Sequence, residues 1–399
     1  MTQNAPVPAS VVESRFTSVA FAALCASFIT IGGSTSLFGP LLNAIAARFH
    51  QSLPSAGTVL SIYFVGGFVG VLLGWRMVVR YPGRVAAIGG LLAMTLGSGA
   101  IALAAQASAW VLFLAGAALM GAGFGTLDFA LNTILARTAE EGRAHRLSFA
   151  NAFWGVGSIV GPLAIILLRP KNFPVLFAMV AVITLLLSPL YRGLHAPALR
   201  HEQVETDPAV RRAQRPVLIT FILAYVLYVG LETTASGWMA SHLHGIGYSQ
   251  SVGSFTTAGF WIGLTIARAF GGPLHRFFSA QQFVLGGLAI AAVLGVAANS
   301  HLLAPVAYPL LGVCLANVYV FGIIWYQSVA GTDNRGIAII IVFTMIGGVV
   351  GPGITSGLVS LTSVRAVPWS IAAQALLTLA VFAFSRRFRA ADYIAQSSS

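Results

Sequence analysis

The chain has almost no acid: ten Asp and Glu in 399 residues, against 22 Lys and Arg. Charged residues of both signs make up only 8% of it, where a soluble domain usually carries about 25%. So few charges cannot cover a water-soluble globule of this size, and 57% of the residues are hydrophobic. The solvent for such a chain is lipid. Lysine is nearly absent, Lys171 being the single one. Cysteine is down to two, Cys25 and Cys314, both inside apolar runs. That excludes a disulfide framework or a CxxC metal pair and leaves both as packing residues. His242, His244 and His301 fall near the outer ends of apolar runs with no carboxylate or cysteine nearby. They read as solvated loop residues, not as metal ligands. No HExxH, GxSxG or P-loop sequence occurs, so neither an ATP-driven pump nor an enzyme of those kinds is expected, and no cofactor is implied. The stretch Met1–Phe16 contains Glu13 and has no basic region followed by a small-residue cleavage site. It does not read as a cleaved signal peptide, so the first helix is expected to be the insertion signal.

The net charge of +12 does not point to nucleic acid, because the arginines lie in short loops between apolar runs. Those runs predict helices near 17–47, 53–78, 84–106, 110–137, 146–168, 173–190, 216–241, 252–275, 281–299, 303–327, 337–361 and 366–386. Twelve spans of about 21 residues need roughly 250 residues, which the apolar content supplies. One connection is long and polar, with Pro197 and Pro208 inside it. The chain therefore divides into a six-helix bundle at 1–191, a linker at 192–215 and a second bundle at 216–399. With both ends on the cytoplasmic side, 17 basic residues fall on that side and four (Arg48, Arg169, Lys171 and Arg365) on the other, with Arg268 inside a helix. This asymmetry fits an even number of spans with both termini in the cytoplasm, in a bacterial inner membrane. The fold class expected is an all-α membrane protein of twelve transmembrane helices in two pseudo-symmetric bundles. The halves also share a motif in their fifth helices, Gly157-Ser158-Ile159-Val160-Gly161-Pro162 and Gly347-Gly348-Val349-Val350-Gly351-Pro352. Small residues let helices approach closely, and proline opens the backbone ladder locally.

Ionisable groups within lipid are costly and usually functional. Eight of the acids lie in tails or loops: Glu13, Glu140, Glu141, Glu202, Glu205, Asp207, Asp333 and Asp392. Only Asp128, Glu232 and the base Arg268 sit within spans. Asp128 and Asn132 are four residues apart and share one helix face. Asp128 is either a proton carrier or a structural acid bonded to neighbouring amides. Asn132 is either a solute ligand or a helix–helix bond. Glu232 and Arg268 are candidates for a buried ion pair, as a switch or as a static staple. Trp154 beside Asn151, Trp238 beside Glu232, and Asn317 complete the candidate solute-binding set. Tyr63, Tyr228, Trp261, Tyr319 and Trp325 read first as interface anchors.

Two six-helix halves joined by a polar loop resemble the major facilitator superfamily over nearly the whole chain. The run Gly121-Ala122-Gly123-Phe124-Gly125-Thr126-Leu127-Asp128-Phe129-Ala130-Leu131-Asn132 resembles the fourth helix of the fucose–proton symporter group and related sugar carriers. Tyr228-Val229-Gly230-Leu231-Glu232 with Trp238 resembles that group's seventh helix, and Gly263-Leu264-Thr265-Ile266-Ala267-Arg268 its eighth. The resemblance implies a secondary transporter in which Asp128 carries the proton. Its partners would be a small polar solute, protons and the bilayer, with the chain acting as a monomer. Two departures stand out. The superfamily loop usually written GxLxDRxGRR is here Gly74-Trp75-Arg76-Met77-Val78-Val79-Arg80-Tyr81-Pro82-Gly83-Arg84, which keeps Arg80, Gly83 and Arg84 of the gating loop but has no acid. The first helix has Ser27, Thr30, Ser34, Thr35 and Ser36 where the fucose carriers have an acid. The Gly157–Pro162 stretch also resembles the antiporter motif, so a proton-coupled exporter of drugs or metabolites is the alternative. An intramembrane enzyme is the rival from another class.

Overall fold

The computed structural model describes residues 14–138, 143–198, 208–274, 276–331 and 334–388. In lipid every backbone polar group must be satisfied within the chain, and long helices do this. The first half contains α1 (Ser18–Arg48), α2 (Leu53–Arg80), α3 (Gly83–Ala107), α4 (Trp110–Ala136), α5 (Arg143–Leu168) and α6 (Phe173–Leu187). The second contains α7 (Pro208–Gly245), α8 (Gln250–Leu274), α9 (Ala280–Ala297), α10 (Ala304–Leu315), α11 (Val318–Ala330), α12 (Asn334–Leu361) and α13 (Val367–Phe384). Helix starts use ordinary caps: Thr17 and Ser52 accept from Ala20 and Ser55 amides, and Ser279 forms a capping box with Gln282. Among the described residues, eleven spans are long and apolar enough to cross a bilayer. The α8 helix is not among them, because Gln250, Ser251, Ser254, Thr256, Thr257, Thr265 and Arg268 dilute it.

Three boundaries differ from the sequence reading. The tenth span, expected as one helix over 303–327, is broken at Ala316–Asn317 into α10 and α11. The seventh was expected to open at Pro216, but it begins at Pro208 and carries Pro216 inside it. Gln214 anchors this early start by donating to the Ala330 carbonyl at 3.0 Å. The linker expected at 192–215 is therefore much shorter. Its first residues form a strap, in which Leu194–His195 pairs antiparallel with Arg15–Phe16. The Gly83 amide donates to Ala196 (2.7 Å), and Arg137 Nη1 donates to Pro197 (3.1 Å). The strap ties the segment entering α1, the start of α3 and the end of α4 to the segment leaving the first half.

The two halves repeat one another in their packing. In the first, α1 packs on α5, α2 on α4, and α3 on α6; in the second, α7 packs on α12, α8 on α10, and α9 on α13. Between halves, α2 meets α12 and α5 meets α8, two contacts exchanged by the same six-span shift. The repeated glycine motif has one job in both halves. A Cβ at Gly157 or Gly161 would strike the Ile29 or Gly33 carbonyl of α1; at Gly347 or Gly351 it would strike the Val226 or Gly230 carbonyl of α7. Glycine is what permits this approach. The glycines of α4 work likewise. Gly121 and Gly125 rest on the Tyr63 and Gly67 carbonyls of α2, and Gly123 rests on Met94 of α3. Clamping α4 on two sides fixes the height of Asp128.

An even number of spans puts both described ends on one face. The halves are sealed from about the midplane to the opposite, far face. Ser61 Oγ donates to the Val349 carbonyl and Ser356 Oγ to the Pro54 carbonyl, each at 2.7 Å. Asn43 Nδ2 donates to Ser241 Oγ (3.3 Å), and Gln250 Nε2 to the Pro40 carbonyl. Trp238 is buried in this seal, its ring against Gly57 of α2. Toward the terminal face the halves part: Phe149, Asn151, Ala152, Arg268 and Phe270 are exposed. One of the three histidines expected in solvent also differs. His242 is buried with Nδ1 2.9 Å from Tyr308 Oη. His301 is exposed as expected and stacks on Tyr248 at 4.5 Å, and His244 is exposed as well.

Candidate functional site

The cleft that opens toward the terminal face is lined from the first half by a chain of amides ending on an acid. Asn151 Nδ2 on α5 donates to Asn132 Oδ1 on α4 at 3.1 Å. Asn132 Nδ2 in turn lies 3.3 Å from Asp128 Oδ1 and 3.0 Å from the Asp128 carbonyl. The one-turn spacing on α4 produces the second link, and the α4–α5 contact produces the first. Asp128 and Asn132 are half-buried and Asn151 is exposed, so the chain runs from the open mouth inward. Tyr63 on α2 stands near Asp128, its hydroxyl 2.8 Å from Thr35 Oγ1 and its ring stacked on Phe124 at 5.4 Å.

The second half contributes Glu232 and Arg268. Arg268 Nη2 lies 4.0 Å from Glu232 Oε2, the single ion pair among the described residues. Glu232 also accepts from Tyr228 Oη at 2.5 Å. Arg268 is half-exposed, and its Nε donates to the Ala316 carbonyl at 2.9 Å. Tyr319, on α11, lies within electrostatic reach of Glu232, Arg268 and, across the cleft, Asp128. The two intramembrane acids thus face one central space. Trp154 crosses to the other half as well, meeting Trp261 edge-on at 5.2 Å. Trp261 Nε1 and Thr265 Oγ1, one turn apart on α8, are buried with no hydrogen-bond partner.

Several residues named from sequence lie elsewhere. Trp238 belongs to the far-face seal, because α7 crosses to the other half there and its ring is buried against Gly57 of α2. Asn317 sits at the break in the tenth span, where Nδ2 donates to the Ala267 carbonyl at 3.0 Å, so its amide is engaged with α8 rather than free for a solute. The Arg80–Arg84 loop docks on its own half through Gly83, with Arg80 and Arg84 exposed, so in this state it does not bridge the halves. Tyr63 and Tyr319, read from sequence as interface anchors, instead lie inside the molecule, Tyr63 buried and bonded to Thr35, and Tyr319 and Thr35 half-buried. A hydroxyl on an apolar helix gives no sign of which space it faces. Gln374, equally unmarked, joins α7, α12 and α13 through Thr234, Thr355 and Ser370.

Two repeated six-helix halves, sealed on one face and parted on the other, have the architecture of a membrane transporter. The family model of the Major Facilitator Superfamily matches residues 24–345, and the chain belongs to that superfamily. The L-fucose-proton symporter of Escherichia coli (strain K12) is 28% identical over 149 residues, which are 37% of this chain and 34% of that one. The match thus spans about a third of that relative's length. Among solved structures, the transporter FucP in the outward conformation is 20% identical, covers 92% of this chain and 98% of its own, and superposes with a TM-score of 0.64. A D-xylose-proton symporter is 13% identical, covers 94% and 98%, and gives a TM-score of 0.75. At these identities the likeness is one of fold.

Proposed function

We propose that the chain moves a small sugar-like solute by proton-coupled alternating access, with the solute bound between the halves near the midplane. The observation that carries this reading is the Asn151–Asn132–Asp128 chain. Side-chain amides offer paired donors and acceptors to hydroxyls. An acid at the end of such a chain, inside lipid, is a costly group that a proton carrier explains. The partial match to a fucose–proton symporter supports it. Trp261 Nε1 and Thr265 Oγ1 are unpaired polar atoms that a bound solute would satisfy once the α5–α8 contact loosens. The glycine–proline stretch of α5, which suggested an exporter, has a packing role repeated in α12 and gives no support to export. With both ends on the arginine-rich side, the open face is cytoplasmic and the protein sits in a bacterial inner membrane.

The test is uptake by liposomes containing the purified protein, under an imposed pH gradient, with a panel of labelled monosaccharides. The wild type concentrates at least one of them. Asp128→Asn copies the shape of the protonated acid but cannot release a proton. It folds and still exchanges the sugar across the membrane, yet it does not concentrate it. Retained pH-driven accumulation in Asp128→Asn would overturn the assignment of that residue and leave Glu232 as the next candidate.

A further inference from the structure

Tyr228 has one hydroxyl hydrogen and two acceptors within reach: Glu232 Oε2 at 2.5 Å and the Leu315 carbonyl at 3.1 Å. One hydrogen cannot serve both. Leu315 is the last residue of α10, directly before the break at Ala316–Asn317. A broken helix frees carbonyls that neighbouring helices must satisfy. Around this joint they do so. Arg268 Nε takes the Ala316 carbonyl (2.9 Å), and one turn on, inside α11, Tyr225 Oη braces the Tyr319 carbonyl (2.5 Å). Asn317 answers by donating to Ala267 (3.0 Å), with Gly271 beneath it, where a Cβ would strike the amide. Each of these donors has one task. The Leu315 carbonyl alone depends on a hydroxyl for which an acid also competes.

We infer that Tyr228 is a positioning residue that relays the protonation state of Glu232 to the joint of the tenth span, so that the bend between α10 and α11 follows the proton. The relay rests on the proton-coupled reading given above. When Glu232 is ionised it can only accept, and charge assistance wins it the tyrosine hydrogen. The Leu315 carbonyl then goes without. When Glu232 takes a proton from water in the open cleft, its own O–H donates to a lone pair of Tyr228 Oη. The tyrosine hydrogen then turns to Leu315 and completes the joint. No bond within the tyrosine breaks; only the carboxyl gains or loses a proton. The ionisable groups facing Glu232 are Tyr228 on its own helix, Arg268 on α8 and Tyr319 on α11. Asp128 reaches Tyr319 from the other half. Beyond Arg335, α12 carries no ionisable side chain, nor does α13. On α10, Tyr308 is engaged with His242 near the far face.

The experiment uses the full chain in lipid nanodiscs, with Cys25 and Cys314 replaced and spin labels at Val306 and Ser328, both on exposed positions flanking the joint. The labels are about 33 Å apart along a straight helix, and their separation is read from acid to alkaline pH. The wild type shows two distance populations that exchange weight with pH. Tyr228→Phe and Glu232→Gln each lose the exchange. A pH-dependent exchange that survives in Tyr228→Phe overturns the relay, as does its absence from the wild type. If Tyr228→Phe does not fold, 3-fluorotyrosine at position 228 keeps the hydroxyl with altered donor strength and moves the pH midpoint of the exchange. An unmoved midpoint overturns the relay equally. The readout needs no solute, so a failure of sugar transport and a failure of the relay are seen separately.

Discussion

The side-chain amide of Asn151 on α5 reaches the side-chain carbonyl of Asn132 on α4, 3.1 Å away, and links the exposed rim of the cleft to Asp128. Removing Asn151 should therefore weaken solute binding without harming the fold, because the residue is exposed. One neutral hydrogen bond is worth about 0.5–1.5 kcal/mol, so Asn151→Ala should raise Kd roughly two- to tenfold. Isothermal titration with the transported sugar checks this. Unchanged affinity would remove Asn151 from the site.

The Glu232–Arg268 pair is long at 4.0 Å, and Arg268 is 36% exposed. Solvent screening therefore holds their direct coupling below about 1 kcal/mol. Arg268 also supports the joint through Ala316. Arg268→Met should thus cost more thermal stability than Glu232→Gln, and the double variant should recover little. A double-mutant cycle measures this. Near-complete recovery in the double variant would show that the ion pair, not the joint, is what Arg268 serves.

The far-face seal predicts a lock. A Cβ at Gly353 would sit 3.1 Å from Ser61 Oγ. In a background without Cys25 and Cys314, a disulfide between Ser61→Cys and Gly353→Cys should form and stop transport, and reduction should restore it. Full transport by the cross-linked protein would mean that α2 and α12 do not part during the cycle.

Orientation has its own test. Cysteines placed at Ala209, at the start of α7, and at Ala390, outside the described residues, should be labelled only from the cytoplasmic side. Labelling of either by an impermeant reagent added to intact cells would reverse the topology.

Much of this arrangement is written locally. Arginines between apolar runs mark where spans end, and a four-residue interval puts Asp128 and Asn132 on one face of α4. The glycine motif repeats because the same backbone approach repeats. What local spacing cannot convey is which space a side chain enters. Trp238 sits less than two turns after Glu232, yet it belongs to the seal, because that depends on how α7 meets α2 across the halves. Asn317 looks like any amide in a span until the helix around it is seen to break. Pro216 looks like a helix start because proline suits a first turn, but Pro208 begins the helix and the Gln214–Ala330 bond holds the added turns. The strap formed by Leu194–His195 is two residues long, too short for any alternating pattern to announce it.

Three of the four hydrogen bonds that seal the far face end on main-chain carbonyls, those of Pro40, Pro54 and Val349. A carbonyl is supplied by every amino acid, so half of each contact is immune to point substitution, and drift in one half of the molecule does not oblige a matching change in the other. None of these groups titrates or carries charge. Those four bonds themselves therefore keep their strength whatever the acidity and salinity of the fluid that bathes that face.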